Sequence, residues 1–200
     1  MTGIGAYAIS GCQSLTAVTL PDGLADIGAY AFYDCSALTR ADLPDSVTAI
    51  GDAAFYGCRS LAAVTLPSGL TAIGDLTFRN CESLAAVTLP DSVTSIGNWA
   101  FFACRSLPGV RIPAGVTAIG EWAFSGCDSL AGVTIPDSVT AIGLEAFSFC
   151  GSLTGLSIPD SVTAIGEDAF VNCPALTFTV SPGSYAEQYC RDNGLAWTND

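Results

Sequence analysis

Hydrophobic residues recur along this chain with a fixed period of 23 residues, and the unit is clearest at residues 84–106, LAAVTLPDSVTSIGNWAFFACRS. An Ile-Gly pair starts at positions 4, 27, 50, 73, 96, 119, 142 and 165. Leucine recurs at 15, 38, 61, 84, 107, 130, 153 and 176, and cysteine at 12, 35, 58, 81, 104, 127, 150 and 173. Apolar residues held in fixed columns predict a solenoid, in which each coil buries its apolar side chains against its neighbours.

Each unit divides into two extended segments and one turn segment. The apolar residues of 84–89 alternate near the end of the stretch, which predicts a short strand. Pro90 ends the strand because it lacks an N–H and fixes its own φ. Residues 93–96 form a second extended segment, and Gly97 then turns the chain. Residues 98–104 place Ala, Phe and Cys three or four positions apart, which predicts one or two short helical turns opposite the strands.

Composition narrows the partners and the chemistry. Half of the residues are hydrophobic, which suits a core that is continuous from coil to coil. Nineteen acidic residues against six arginines give a net charge of -13, so we expect no nucleic-acid partner. No apolar run approaches the roughly 18 residues of a membrane span, so we expect no membrane insertion. The chain has no histidine or lysine, and we identify no catalytic residue, no metal site and no cofactor.

Eight of the nine cysteines stand in one column that the repeat directs into the core. We predict that these eight are buried free thiols, because cysteine serves well as a small hydrophobic residue. Disulfides between adjacent coils stay a less favoured alternative. The coils lie about 4.8 Å apart, but parallel side chains fit the disulfide torsion poorly. A metal site is less favoured still, since no CxxC pair or Cys/His cluster is present.

The pattern L-x-x-V-x-L-P-x-x-V-x-x-I-G-x-x-A-F-x-x-C resembles the BspA-type (Treponema pallidum-type) leucine-rich repeat family of surface proteins. The resemblance implies a leucine-rich repeat solenoid of 23-residue coils, with short parallel strands on one face and short helical turns opposite. It covers residues 1–175 as eight copies, the first one partial. Residues 181–195 look like the closing element of the family, a short helix followed by a final strand. We therefore predict a C-terminal cap at residues 176–200.

The resemblance also implies a function. Members of the family are typically exported or surface proteins implicated in adhesion. We therefore expect a non-catalytic binding or adhesion module, secreted or on the cell surface, that recognises a host protein or another cell. A structural spacer without a ligand of its own is the alternative. Met1 runs directly into a repeat without a signal peptide, so we expect a fragment of a longer protein and predict self-association through the uncapped amino-terminal end.

Differences among the coils concentrate at two positions of the turn segment, three residues apart. Six aromatic residues at these positions form what we call the aromatic stripe, and they are our candidate partner-binding residues: Tyr30, Tyr33, Tyr56, Trp99, Phe102 and Trp122. Exposed aromatic side chains are typical of binding hot spots. The alternative is that these rings lie flat over the gaps between coils and serve only local packing.

Overall fold

A computed structural model describes residues 2–200 and has the predicted architecture of 23-residue coils. Strands pair in parallel with their counterparts one repeat away, as Ala118 does with Ala141 and Ile119 with Ile142. In chain order the elements are β1 (Gly3–Ile4), β2 (Asp26–Ile27), β3 (Arg40–Asp42), β4 (Ala49–Ile50), β5 (Ala63–Thr65), β6 (Ala72–Ile73), β7 (Ala86–Val87), β8 (Ser95–Ile96), β9 (Gly109–Arg111), β10 (Ala118–Ile119), β11 (Gly132–Thr134), β12 (Ala141–Ile142), β13 (Gly155–Ser157), β14 (Ala164–Ile165), β15 (Thr177–Val180), α1 (Tyr185–Asp192) and β16 (Ala196–Asn199). The predicted solenoid with short parallel strands is confirmed.

The two extended segments of each coil build two separate faces. The second segments form the ladders β1-β2-β4 and β6-β8-β10-β12-β14. The first segments form three shorter sheets, β3-β5-β7, β9-β11 and β13-β15-β16, which together make up the first-strand face. Paired strands thus lie in consecutive coils, and in the part of the chain that the structure describes the pairing is interrupted between β4 and β6, between β7 and β9, and between β11 and β13.

Pro108 accounts for one of the breaks in the first-strand face. In the preceding coils the N–H at this column donates to the carbonyl one repeat earlier, from Ala62 to Thr39 at 2.9 Å and from Ala85 to Ala62 at 3.0 Å. Pro108 occupies the same column and has no N–H to donate to Ala85. Within residues 2–200, β7 and β9 are consequently not paired.

The core consists of stacked columns of identical residues. Phenylalanine rings of successive coils lie 5.1–5.6 Å apart between centroids, with interplanar angles of 17° or less. The column is Phe32, Phe55, Phe78, Phe101, Phe124, Phe147 and Phe170. Each ring therefore covers the ring before it, which removes both faces from water and adds a stacking contribution to the area that is buried.

The cysteine column lies beside this stack, and all nine cysteines are free thiols. The Sγ of Cys58 donates to the carbonyl oxygen of Phe32 in the preceding coil at 3.2 Å, and Cys104 does the same to Phe78. Six members of the column are buried, from Cys35 to Cys150. The prediction that all eight are buried is wrong for Cys12, which is exposed, and only partly met at Cys173, which is half-buried. In the described chain Cys12 has a neighbouring coil on one side alone.

The predicted helical turns opposite the strands are wrong. Trp99 and Ala103 have φ angles of 53° and 55°, in the left-handed region that a right-handed helix cannot contain. The segment is a run of tight turns in which alternate N–H groups donate to the next coil, while Phe102 and Cys104 donate three residues back within their own coil. Trp99 donates to the carbonyl of Glu121 and Ala103 to that of Ser125, both at 2.8 Å. Hydrogen bonds between coils and three-residue turns thus stand where a helix was predicted.

The one α-helix among residues 2–200 lies near the carboxyl end, where the predicted short helix and final strand are both present. Ser184 caps α1 by accepting from the Glu187 N–H at 3.1 Å. Strand β15 pairs Thr177 with Gly155, a register of 22 residues where the other coils keep 23. The division at residue 175 into solenoid and cap stays a prediction. No helix within residues 2–200 has the length and apolar character needed to cross a membrane.

Candidate partner-binding face

The turn segments stack into two columns of side chains on the face opposite the first strands. The left-handed column contains residues 7, 30, 53, 76, 99, 122, 145 and 168, whose φ angles lie between 48° and 61°. The adjacent column contains residues 10, 33, 56, 79, 102, 125, 148 and 171, three positions later in each coil. The left-handed conformation costs on the order of 1 kcal/mol or more in a residue with a side chain. It lets the N–H point along the axis, so that Tyr30 donates to the Asp52 carbonyl at 2.9 Å.

Four tyrosines form a continuous stack at the amino-terminal part of this face. Tyr7 and Tyr30 lie 4.7 Å apart between ring centroids and are parallel to within 1°. Tyr30 contacts Tyr33 at 5.8 Å, and Tyr33 stacks on Tyr56 at 4.9 Å. The stack therefore passes from the left-handed column into the adjacent column.

Arg79 continues the stack beyond Tyr56. Its guanidinium carbon lies 5.6 Å from the ring centroid of Tyr56 and 4.7 Å from that of Phe102, so a cation stands between two aromatic rings. Its buried Nε has no hydrogen-bond partner among residues 2–200. The other five arginines each contact a carboxylate, at 2.7–3.9 Å. Aromatic rings thus take the place of a carboxylate at Arg79.

Trp99 and Trp122 form a second stack, in the left-handed column. Their rings lie 4.9 Å apart and are parallel to within 4°. The structure therefore places all six residues of the aromatic stripe on one face. Each of the six is half-buried, and its ring lies against rings or the guanidinium of neighbouring coils. This stacking is the arrangement that the local-packing alternative also predicts.

Acidic side chains border the left-handed column. Asp52 accepts from the Asp75 N–H at 3.0 Å, Asp75 from the Asn98 N–H at 2.7 Å, and Asn98 from the Glu121 N–H at 2.9 Å. These side chains cap the turns of the following coils. Asp52 and Asp75 also give the border of the aromatic stripe a negative charge, whereas Asn98 is neutral.

The first-strand face offers fewer large side chains. Arg40 and Asp42 form an ion pair at 2.7 Å, and the hydrogen bond from Arg40 lowers the pKa of the Asp42 carboxyl. Arg111 pairs with Asp91 at 2.8 Å. The conspicuous charges of this face are thus neutralised within the chain.

The buried thiols carry no activated nucleophile. Burial raises the pKa of Cys81 and Cys104, and raises that of Cys127 to about 12, so these groups stay protonated at neutral pH. Within residues 2–200, no three His, Cys, Asp or Glu side chains come close enough to hold a metal ion.

Sequence reasoning left three residues out of the candidate site. Tyr7 begins the tyrosine stack and Arg79 bridges Tyr56 to Phe102, and both stand at the 23-residue spacing of the stripe. Phe149 lies one residue outside the adjacent column and is 51% exposed. The sequence alone places Tyr7 and Arg79 at the repeat spacing and Phe149 one residue outside it, and the structure adds their contacts and the exposure of Phe149.

The chain is similar to known leucine-rich repeat proteins along nearly its whole length. The family model described as "BspA type Leucine rich repeat region" matches residues 1–108 and 71–190 with six copies. None of the curated proteins matches.

Among solved structures, three bacterial proteins share the fold. A leucine-rich repeat protein from Bacteroides ovatus is 31% identical, with a TM-score of 0.75 over 89% of this chain and 47% of its own. A leucine rich cell surface protein from Faecalibacterium prausnitzii is 39% identical, with a TM-score of 0.71 over 90% of this chain and 48% of its own. A leucine-rich repeat protein from T. pallidum is 31% identical, with a TM-score of 0.70 over 98% of this chain and 78% of its own.

The chain spans about half the length of the first two relatives and most of the third. The two ranges that match the family model together cover residues 1–190. The chain belongs to the BspA-type leucine-rich repeat family.

Proposed function

We propose that this chain is a non-catalytic binding module that recognises a protein on a host or on another cell through its aromatic stripe. The observation that carries the proposal is that the sequence differences among the coils are concentrated in the left-handed and adjacent columns. The core columns repeat the same residues from coil to coil, while the left-handed and adjacent columns hold tyrosine, tryptophan, arginine, leucine, serine and glutamate in turn. Large aromatic side chains at such positions supply most of the binding free energy in protein interfaces.

The proposed location is the cell surface or the secreted fraction. The relative from Faecalibacterium prausnitzii is described as a cell surface protein. A net charge of -13 also suits a partner with a basic surface, because opposite charge accelerates association.

The test compares two double variants of the same chain. Trp99→Ala with Trp122→Ala removes one stack of the aromatic stripe, and Arg40→Ala with Arg111→Ala changes the first-strand face by the same number of side chains. Binding is measured to immobilised host matrix proteins and to whole cells, after circular dichroism has established that both variants keep the fold. We expect the tryptophan variant to lose roughly 30-fold or more in affinity, from about 2 kcal/mol for a buried aromatic anchor, and the arginine variant less than about threefold.

A structural spacer is the second candidate, and the mutual stacking of the stripe favours it, since rings that cover one another need no partner. A folded parent chain that captures no host protein and no cell would support the spacer. Loss of binding in the arginine variant alone would move the site to the first-strand face. Self-association through the first coil also stays a prediction, and sedimentation velocity at increasing protein concentration tests it.

A further inference from the structure

The two aromatic columns end in neighbouring coils of the solenoid. Trp122 is the last ring of the left-handed column, and Glu145 follows it in the next coil. Phe102 is the last ring of the adjacent column, and two serines follow it. At this level a cavity of about 390 Å³ opens on the turn face, with aromatic walls formed by Phe102, Trp122 and Phe149.

The floor of the cavity consists of small residues, and the serine hydroxyl among them is hydrogen-bonded within the chain. Ser125 is only 3% exposed, and its hydroxyl lies 2.7 Å from that of Ser148. Gly126 completes the floor and has no side chain. Glu145, Asp128 and Arg105 also line the cavity, and the Asp128 carboxylate lies 3.9 Å from the Arg105 guanidinium. The cavity thus combines aromatic rings with one carboxylate that has no ion-pair partner among residues 2–200.

Arg79 shows, within the same chain, which kind of group packs between two aromatic rings of this face. It stands in the adjacent column one coil before Phe102, and its guanidinium fills the level between the rings of Tyr56 and Phe102. Ser125 stands in the same column one coil after Phe102. One side of the Phe102 ring is therefore covered by the Arg79 guanidinium. On the other side the corresponding residue is the small Ser125, and the cavity takes the place of a guanidinium.

We propose that this cavity receives an arginine side chain of the protein partner, an inference that rests on the proposed function. A planar guanidinium stacks on the rings of Phe102 or Trp122 and donates hydrogen bonds to the Glu145 carboxylate. The net charge of -13 attracts a basic group to the chain. Arginine suits the site better than lysine because a flat, weakly hydrated cation fits between rings as Arg79 does.

The first experiment uses three peptide probes on the intact chain. Acetyl-Gly-Arg-Gly-amide, its citrulline analogue and its lysine analogue are titrated while the three tryptophan indole N–H signals are followed by nuclear magnetic resonance. Citrulline keeps the shape of arginine and removes its charge. We expect a saturable shift of the Trp122 signal with the arginine peptide at millimolar concentration, at least tenfold weaker binding of citrulline and about threefold weaker binding of lysine. Equal binding of arginine and citrulline, or shifts that do not saturate, would overturn the proposal.

Variants then locate the site. Glu145→Gln keeps the shape and removes the charge, and we expect it to weaken binding of the arginine peptide about five- to tenfold. Glu167→Gln, the same change outside the cavity lining, is the matched control and should leave binding unchanged. Ser125→Arg supplies the guanidinium from within the chain and should abolish binding. Should that variant fail to fold, Phe149→Ala at an exposed position removes one wall and should weaken binding at least threefold.

The outcomes separate this inference from the proposed function. If a captured partner loses affinity for the Trp99→Ala, Trp122→Ala variant and keeps it for Glu145→Gln and Ser125→Arg, the proposed function stands and the arginine inference fails. If the arginine peptide binds as expected while the chain captures no protein and no cell, the proposed function fails and the selectivity of the cavity for a guanidinium stands.

Discussion

Raising the pH from 8 to 10.5 is expected to destabilise this solenoid strongly through its cysteine column. Burial raises the pKa of Cys58, Cys81 and Cys104 above the ordinary value of 9.0, and raises that of Cys127 to about 12. A thiol whose pKa is higher in the folded than in the unfolded chain contributes stability that is complete below pH 9 and is lost as the pH rises towards its folded value. The unfolded chain releases these protons near pH 9, whereas the folded chain keeps them.

The magnitude follows from proton linkage. Each thiol that ionises only in the unfolded chain lowers the free energy of unfolding by about 1.4 kcal/mol at pH 10 and about 2 kcal/mol at pH 10.5. The four thiols together therefore remove about 8 kcal/mol at pH 10.5, which is comparable to the whole stability of a typical domain, about 5–15 kcal/mol. Between pH 6 and 8 the stability should stay nearly constant, because the chain has no histidine.

Urea unfolding followed by circular dichroism between pH 6 and 10.5, with reductant present, measures this dependence. Cys104→Ala removes one buried thiol and should reduce the slope above pH 9 by about 1.4 kcal/mol per pH unit. The parent chain is measured in parallel. A free energy of unfolding that is constant to pH 10, or equal slopes for the parent and the Cys104→Ala variant, would refute the reasoning.

Three further perturbations test the packing and the ladders. Phe101→Ala opens a gap in the phenylalanine stack and should cost about 4 kcal/mol in urea unfolding, whereas Phe149→Ala on the surface should cost under about 1 kcal/mol. Gly120→Ala would place a Cβ 2.5 Å from the carbonyl group of Gly97 and should lower the free energy of unfolding by about 1–3 kcal/mol. Gly151→Ala, whose Cβ would have nothing within 4 Å, should be tolerated. Equal losses of stability in the two variants would contradict the close approach of Gly120 to Gly97. Pro108→Ala supplies the N–H that can donate to Ala85, and hydrogen exchange should find this new amide at least about tenfold slower than an exposed amide. Exchange at the exposed rate would mean that the ladder stays open.

The columns of the repeat made the fold predictable from sequence. Each inward position recurs eight times at one spacing, so strand register, core residues and the direction of the cysteines follow from a single unit. The turn segment was harder, because Ala100, Phe101 and Cys104 have the spacing of a helix face as well as that of the observed turns. The left-handed backbone at Trp99 was not predictable from the sequence, because that conformation is typical of glycine or asparagine and not of tryptophan. Hydrogen bonds to the next coil stabilise that conformation, and a single unit does not reveal them.

The candidate site was predictable in part. The spacing placed the aromatic residues on one face, and the structure adds their mutual stacking. Arg79 stands in the same column as Tyr56 and Phe102. A charged residue in a turn is normally expected to be solvated, so its position between two rings was not predictable from the sequence. The cavity beside Trp122 depends on three coils at once, through Phe102, Ser125 and Phe149. Sequence periodicity describes what coils share, whereas this cavity arises where they differ.

The interruption at Pro108 gives the solenoid an uneven mechanical character. On the first-strand face the backbone is not paired between β7 and β9, while at the same level the ladder from β6 through β8 to β10 continues and Phe78, Phe101 and Phe124 remain stacked. Where one face is hydrogen-bonded between coils and the other is not, the solenoid bends most easily by separating the coils on the unpaired face. Under bending load we therefore expect strain to concentrate between the coils of β7 and β9 and, by the same argument, between those of β11 and β13, where the first-strand face is also unpaired.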